Sequence, residues 1–317
     1  MNSTFLREYD RFQPKTTMAT IGMFDGCHVG HLQIASELMD YSDQRDLASL
    51  VVTFNQHPRH VLTGTREPKM INSRDERFRL IADKMMPHYI LPLDFTPELA
   101  ALSAKDFLVM LRDRYGVAAL LVGYNHHFGH ERDLHFPDYV EIGRQVGVEV
   151  VRASEYLGRH APVSSTIIRS LIKAGRVLDA RALMDYRSPS VTGTVVHGFA
   201  NGRDIGFPTA NVGNINPDII LPHNGAYAVT VILDDGVPRW GMANVGRRPT
   251  LDNGQQISVE VNIFDFNEDI YGERIRVEFF TFLRLEVKMG SLDELKEQLA
   301  QDKENAIEFF TNYYDLL

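Results

Sequence analysis

Two histidines three residues apart, His28 and His31, flank Gly30 in the segment Thr20-Ile-Gly-Met-Phe-Asp-Gly-Cys-His-Val-Gly-His31. The segment reads as a β-strand, a tight glycine turn and the start of a helix. Exposed backbone N–H groups and the positive end of a helix dipole make such a junction an anion site. Glycines let the backbone approach a phosphate closely. Imidazole donors there can hold nucleotide phosphates and stabilise charge that builds up during transfer. Plain turn residues and a metal pair are the other readings, since spacing i, i+3 on a helix allows a shared metal. However, no cysteine or acidic third ligand follows at zinc-site spacing, and Asp25 lies inside the turn. The strand–turn–helix context favours nucleotide binding.

Other polar clusters carry a plain and a chemical reading. Ser164-Ser165-Thr166 with Arg169 is a helix cap with a solvated arginine when taken alone. Beside a nucleotide, the same hydroxyls and N–H groups bind phosphate oxygens and the arginine adds a planar cationic donor. His126, His127, His130 and His135 have irregular spacing around Gly129, and no acidic or thiolate partner falls in register with them, which argues against a metal. The run Gly202-Arg-Asp-Ile-Gly-Phe-Pro-Thr-Ala-Asn211 could be a rigid hairpin loop. The Thr209 hydroxyl and Asn211 amide oxygen are also hard neutral ligands suited to Mg²⁺, which takes its remaining ligands from phosphates and water. Glu260 stands in an alternating strand, Ser258-Val-Glu-Val-Asn-Ile-Phe264, where pattern alone makes it a solvated outward residue. It shares a face with Asn262 and Phe264, which also suits a polar pocket wall. Arg284 alone reads as a surface charge.

The elements that must position these residues fall into two textures. From residue 18 to about 153, short apolar runs at 19–24, 47–54, 89–93, 117–124 and 148–151 alternate with amphipathic stretches. Ile34, Leu38 and Tyr41 share a helix face, as do Phe78, Ile81 and Met85, and less tidily Phe107, Val109, Met110 and Leu111. This alternation predicts a parallel sheet with helices on both faces and ligands beyond the carboxyl ends of the strands. The turns 24–30 and 123–129 both follow apolar strands and can reach that edge. Residues 164–184 read as helical, with Ile168, Leu171 and Ile172 at apolar spacing. After the linker-like Arg187-Ser-Pro-Ser190, alternating runs at 191–196, 226–233, 240–245, 257–264 and 275–282 predict an antiparallel sheet or barrel. Ser291-Leu-Asp-Glu294 is a capping box. It opens a helix whose stripe Leu292, Leu295, Leu299, Ala306 and Phe310 is interrupted by Asp302 and Lys303.

Size and composition bound the function classes. The chain has 317 residues, enough for two domains, and is 44% hydrophobic and 24% charged, as a soluble globular protein is. A net charge of -9 argues against a nucleic-acid surface but leaves room for a local pocket that takes a small anion. Cys27 is the single cysteine, so no intrachain disulfide forms and the cytoplasm is the expected compartment. No apolar run approaches the ~18 residues that span a membrane, and the first residues lack a secretory core.

The segment Gly22-Met-Phe-Asp-Gly-Cys-His-Val-Gly-His31 resembles the HxGH signature of the nucleotidyltransferase superfamily. With Phe-Asp-Gly before the first histidine, it is similar to the adenylyltransferase half of the bifunctional riboflavin kinase/FAD synthetase family. His57-Pro-Arg-His-Val-Leu62, Gly123-Tyr-Asn-His-His-Phe-Gly129 with Arg132, and Val163-Ser-Ser-Thr-Ile-Ile-Arg169 match that family in order. So do Gly193-Thr-Val-Val-His-Gly198, the 202–211 run, Asn244-Val-Gly-Arg-Arg-Pro-Thr250, Val259-Glu-Val-Asn-Ile-Phe-Asp-Phe266 and Asp269-Ile-Tyr-Gly272. The collinear set covers the chain from about residue 14 to the last helix.

The resemblance implies a Rossmann-like nucleotidyltransferase domain over 1–186 and a six-stranded antiparallel β-barrel with a C-terminal helix over 187–317. The barrel would phosphorylate riboflavin with Mg-ATP to FMN. The first domain would join FMN to the AMP part of a second ATP, giving FAD and pyrophosphate. It implies that His28 and His31 stabilise the transition state, with Gly22, Phe24, Asp25 and Gly30 shaping the nucleotide turn. Asn125 and Arg132 belong to a loop lining the flavin and nucleotide pocket, and Ser164, Ser165, Thr166 and Arg169 contact ATP phosphates. Gly202, Arg203 and Gly206 cover the kinase phosphates, followed by Pro208. Thr209 and Asn211 bind Mg-ATP, Glu260 accepts the ribityl hydroxyl proton, and Arg284 lies near the flavin. The chain departs from the family pattern at Ile167, where a second basic residue is frequent, at His126 and His127, and at Met289. A histidine at 127 would be cationic only at lower pH, making adenylyl transfer pH-sensitive.

The expected partners are riboflavin, FMN and ATP, with no nucleic acid and no membrane, in a monomer or weak homo-oligomer. Two other classes compete. A pantetheine-phosphate or cytidylyl transferase would lack the Pro208-Thr-Ala-Asn211 barrel. A flavin-binding regulator or carrier with one decayed catalytic half would not need His28, His31, Thr209, Asn211 and Glu260 together.

Overall fold

The computed structural model describes residues 3–6, 16–124, 127–131, 133–197, 206–249, 255–287 and 289–314. Its contacts divide the chain into two compact units, one formed by 1–68 and 73–165, the other by 69–72 and 166–317.

In the first unit, the apolar runs become strands of one parallel sheet: β1 (Thr4–Phe5), β2 (Thr17–Ile21), β3 (Ala48–Phe54), β4 (Tyr89–Leu93), β5 (Val117–Val122) and β6 (Glu149–Arg152). Their order is β1-β4-β3-β2-β5-β6. Every residue of β2 and β3 is buried, which is why both read as continuous apolar runs and not as alternating ones. Side chains still alternate between the two faces. Met18, Val51 and Leu121 join the core that includes Leu38 of α1 (Val29–Gln44) and Ile81. Ala19, Leu50 and Leu120 join the opposite core, with Leu111 of α5 (Ala104–Tyr115) and Tyr139 of α6 (Phe136–Val146). Short helices α2 (Pro58–Thr63) and α4 (Pro97–Ala100), together with α3 (Arg74–Leu80), complete the layers, and α3 runs on into a π-turn at Ile81–Met85. The chain goes outward from β2 through β3 to β4, then crosses back to place β5 on the other side of β2. The crevice at the carboxyl ends of β2 and β5 is therefore the switch point at which ligands bind in open α/β sheets. The five predicted strands are present. The sixth, β1, is a two-residue edge strand too short to show a period.

In the second unit, the helical stretch 164–184 is two helices, α7 (Ser165–Lys173) and α8 (Val177–Leu183). They part at Gly175, whose φ of +75° is left-handed. A closed barrel follows: β7 (Ser190–Val196), β8 (Ala210–Gly213), β9 (Gly225–Ile232), β10 (Pro238–Pro249), β11 (Gln255–Ile263) and β12 (Arg274–Arg284), in the order β10-β11-β8-β7-β12-β9, with β9 pairing β10 to close it. Strand β8 begins in the last two residues of the run 202–211, for which a hairpin loop is one of two sequence readings. The interior is filled by one side of each strand, including Val195, Val212, Val229, Val245, Val261 and Val277. Helix α9 (Leu292–Tyr314) covers part of the outer face, packing Ala306 and Phe310 on Ala228, Met242 and Phe280. Its start is capped as predicted on one side, with Glu294 N–H donating to Ser291 Oγ at 3.2 Å. The Glu294 carboxylate accepts from Gly290 N–H and not from Ser291. Two details of the predicted stripe are corrected: Leu292, in the first turn, is 64% exposed, whereas Asp302, read as an interruption, is 1% exposed. Residues 69–72 also belong here, through a parallel bridge between Met70 and Ile219.

Candidate active sites

The turn after β2 is held in shape from three directions. Phe24, Gly26 and Cys27 all have positive φ, and Cys27 N–H closes the turn on the Phe24 carbonyl at 3.0 Å. Gly22 lies under the Phe24 ring, and a Cβ there would stand 3.1 Å from it. Ser165 Oγ donates to the Asp25 carbonyl at 2.8 Å, so two of the predicted phosphate-site segments do meet. From below, Arg77 of α3 donates to the Met23 carbonyl (3.1 Å), Thr53 Oγ1 (2.8 Å) and the Phe54 carbonyl (2.7 Å). Arg77 and Asp25 are both buried, and the Asp25 charge supports the cation while burial pushes the guanidinium down to about 10.

His28 is the N-cap of α1, and its Nδ1 accepts from the His31 N–H at 3.3 Å. With Nδ1 accepting, a neutral His28 ring carries its proton on Nε2. The two imidazoles stack at 3.6 Å between centroids, and the Phe24 ring meets His31 edge-on at 5.2 Å. A Cβ on Gly30 would lie 3.1 Å from Val163 Cγ1 and 3.3 Å from the His28 ring, which explains glycine between the two histidines. The result is a pair of stacked imidazoles at a helix N-terminus, reached from the carboxyl end of β2 through the turn 22–27.

The loop after β5 contributes to a neighbouring cavity of about 290 Å³, lined by Gly123, Tyr124, His127, His135 and Arg152. Arg152 lies 4.2 Å over the Tyr124 ring and donates to the Tyr124 carbonyl at 2.9 Å. Sequence reasoning passed over Arg152, although its place at the end of β6 is the kind of position that reaches a ligand. Asn125, His126 and Arg132 lie outside the described residues. Among the described residues, no group of three or more His, Cys, Asp or Glu could hold a metal ion. Ser164 stands just before α7, while Thr166 and Arg169 fall in the second unit, where Arg169 Nε donates to the Lys69 carbonyl at 2.7 Å.

Among the described residues of the second unit, one pair of cavities shares a wall. One, of about 270 Å³, is lined by Pro208, Thr209, Phe266, Asp269, Ile270 and Tyr271 among others. The other, of about 330 Å³, has apolar walls from Phe207, Met242, Val287, Met289, Leu295 and Leu299. Its polar groups are Asn244, Glu260, Asn262 and Arg284, with carboxylates from Glu286 and Asp302. Thr209 lines both.

Strand register explains the polar face. Val259, Val261 and Ile263 fill the barrel, so Glu260 and Asn262 point to its outside. Glu260 stands directly opposite Asn244 of β10 on one side and Asn211 of β8 on the other. Directly opposed residues share a face. Asn211, Glu260 and Asn244 thus form one row across three strands, with Asn211 buried and Glu260 half-buried. Asn262 Nδ2 donates to the Pro208 carbonyl at 2.7 Å and fixes the peptide before Thr209. Gly206, at φ +81°, lies in the turn just before. Gly202 and Arg203 lie outside the described residues. From sequence, Asn244 opens a matching segment but is given no role of its own. Its period-2 parity with Met242 was a signal, but only the register places it beside Glu260.

Comparison with known proteins agrees with both halves. The family model for FAD synthetase matches residues 10–167, and that for riboflavin kinase matches 186–310. The bifunctional riboflavin kinase/FMN adenylyltransferase of Bacillus subtilis is 34% identical over 307 residues, covering 95% of this chain and 94% of its own. That of Escherichia coli K12 is 33% identical, covering 92% of each. A crystal structure described as a macrolide-efflux protein from Streptococcus pneumoniae superposes with a TM-score of 0.84 at 30% identity, over 95% of this chain and 97% of that one. With family models matching both halves and a relative 34% identical over 95% of this chain, the chain belongs to the bifunctional riboflavin kinase/FMN adenylyltransferase family.

Proposed function

We propose that the chain makes FMN and then FAD, with the kinase step in the barrel over 187–317 and the adenylyl transfer in 1–186. The observation that carries the kinase half is that Thr209 walls two cavities while Glu260 stands in one of them. Riboflavin suits the larger cavity, whose apolar slab would cover the isoalloxazine and whose Asn244–Glu260 row would meet the ribityl chain. ATP suits the other, where Tyr271 and Phe266 offer aromatic surface to a base. Its γ-phosphate would then lie at Thr209. The ribityl 5′-hydroxyl oxygen attacks the γ-phosphorus, the bond to the β-phosphate oxygen breaks, and Glu260 takes the hydroxyl proton. Phosphoryl transfer is mainly a matter of placement and charge stabilisation, so a carboxylate is base enough. The Thr209 hydroxyl and Asn211 amide oxygen fit Mg²⁺ as neutral hard donors that leave most of its ligands to phosphate and water. When bound, the ion would neutralise phosphate charge.

In the first unit, an FMN phosphate oxygen attacks the α-phosphorus of a second ATP, and pyrophosphate leaves. No side-chain nucleophile is required. The His28 Nε2–H and the α1 N-terminus face the charge that grows on the phosphates. Ser164 and Ser165 supply further phosphate donors in this reading. Among the described residues no helix is long and apolar enough to cross a membrane. The single cysteine suits a reducing cytoplasm, and a monomer or weak homo-oligomer suffices for both reactions.

Incubation of the protein with riboflavin and Mg-ATP, with FMN and FAD separated by chromatography, tests the proposal. FMN should accumulate first and FAD follow. Absence of either product from riboflavin and from supplied FMN overturns the corresponding half.

A further inference from the structure

Asp302 is a carboxylate 1% exposed on a helix that packs Ala306, Phe310 and other apolar groups on the barrel. Both of its oxygens are engaged. Oδ1 accepts from Arg284 Nε at 2.9 Å and from Gln298 Nε2 at 3.0 Å. Oδ2 accepts from Arg284 Nη2 at 2.8 Å and Nε at 3.0 Å. The Arg284 Nη1 donates to the Leu285 carbonyl at 3.0 Å. A guanidinium has five N–H donors in a fixed plane. Three are used in these bonds, which leaves one on each terminal nitrogen, and Arg284 lines the cavity that also holds Glu260. Glu260 and Glu286 line the same cavity, so an arginine released from Asp302 has two other carboxylates to pair with.

We propose that Asp302 is a positioning residue for riboflavin phosphorylation: it clamps the Arg284 fork, keeps it off the other carboxylates, and aims its two remaining N–H donors at the carbonyl or ring-nitrogen edge of the flavin. Gln298 steadies the clamp. This rests on the larger barrel cavity being the riboflavin site. Planar, bidentate holding is what distinguishes arginine from lysine here, and the carboxylate supplies it from the buried side.

The test measures KM and kcat for riboflavin and for ATP in the full chain. Asp302→Asn keeps the shape and one acceptor oxygen but loses the charge. It should raise the riboflavin KM about tenfold, the worth of one charge-assisted hydrogen bond. The ATP KM and the adenylylation of supplied FMN should stay as in the wild type. In an Arg284→Gln background, Asp302→Asn should have no further effect on the riboflavin KM. Additive effects in that double variant overturn the proposal, as does an unchanged riboflavin KM in Asp302→Asn. If Arg284→Gln itself leaves the riboflavin KM unmoved, the placement of riboflavin in this cavity fails instead. Should Asp302→Asn not fold, Gln298→Met removes only the bond to Oδ1. It should raise the KM about two- to threefold, again only where Arg284 is present, and no rise overturns the proposal.

Discussion

Replacement of Arg77 by methionine should impair FAD formation and spare FMN formation. The side chain is 1% exposed and ties the turn after β2 to the end of β3 through the carbonyls of Met23 and Phe54 and the hydroxyl of Thr53. Burial lowers the guanidinium to about 10, so it is charged at neutral pH. Methionine removes the cost of burying that charge. It also takes a donor from the Met23 and Phe54 carbonyls and the Thr53 hydroxyl, and a cation from beside buried Asp25. Each carbonyl left without its donor costs about 1–3 kcal/mol, a loss within the 5–15 kcal/mol roughly typical of a folded domain. The unit stays folded, but the brace under Met23 is gone, and Met23 is two residues before Asp25, whose carbonyl accepts from Ser165. A shift of about 1 Å in such a turn costs about 10²-fold in rate.

The assay supplies FMN and ATP to read FAD formation, and riboflavin and ATP to read FMN formation, both below the melting temperature of the variant. FAD formation should fall about 10²-fold, with FMN formation within about twofold of wild type. Arg77→Lys should lie between, because a single ammonium cannot span the Met23 and Phe54 carbonyls as the planar fork does. FAD formation at the wild-type rate in Arg77→Met refutes the brace. An equal fall in both activities refutes its confinement to the first unit.

His31→Ala removes one imidazole of the stacked pair and should lower adenylylation of FMN by about 10²-fold or more, leaving riboflavin phosphorylation intact; both are read by product chromatography. Glu260→Gln keeps the shape of the row but not the base, and should slow FMN formation by about 10²- to 10⁴-fold while supplied FMN is still adenylylated. Gly30→Ala places a methyl 3.1 Å from Val163 Cγ1 and 3.3 Å from the His28 ring; the ring must move, so the KM for ATP in the adenylylation assay should rise with no change in the kinase step.

Local patterns were readable from the chain, and pairings distant in sequence were not. The histidine turn was legible because strand, glycine turn, cap and imidazoles are contiguous, so one short segment states the whole geometry. The barrel class was legible from alternation, yet the polar row on its outer face was not. Asn211, Glu260 and Asn244 come together only through the register of β8, β11 and β10, and β8 is four residues long, too short to be told from a loop. Asp302 shows the same limit from the helix side. Helical periodicity ranks a charge on an apolar stripe as a flaw, because periodicity knows nothing of Arg284, 18 residues earlier on another element. Arg77 carries no mark in sequence, since its partners are the Thr53 hydroxyl, 24 residues away, and backbone carbonyls, which have no identity in a sequence. Candidate groups for phosphate chemistry can therefore be named from motifs, whereas the side chains packed around them become visible only when strands and helices are paired.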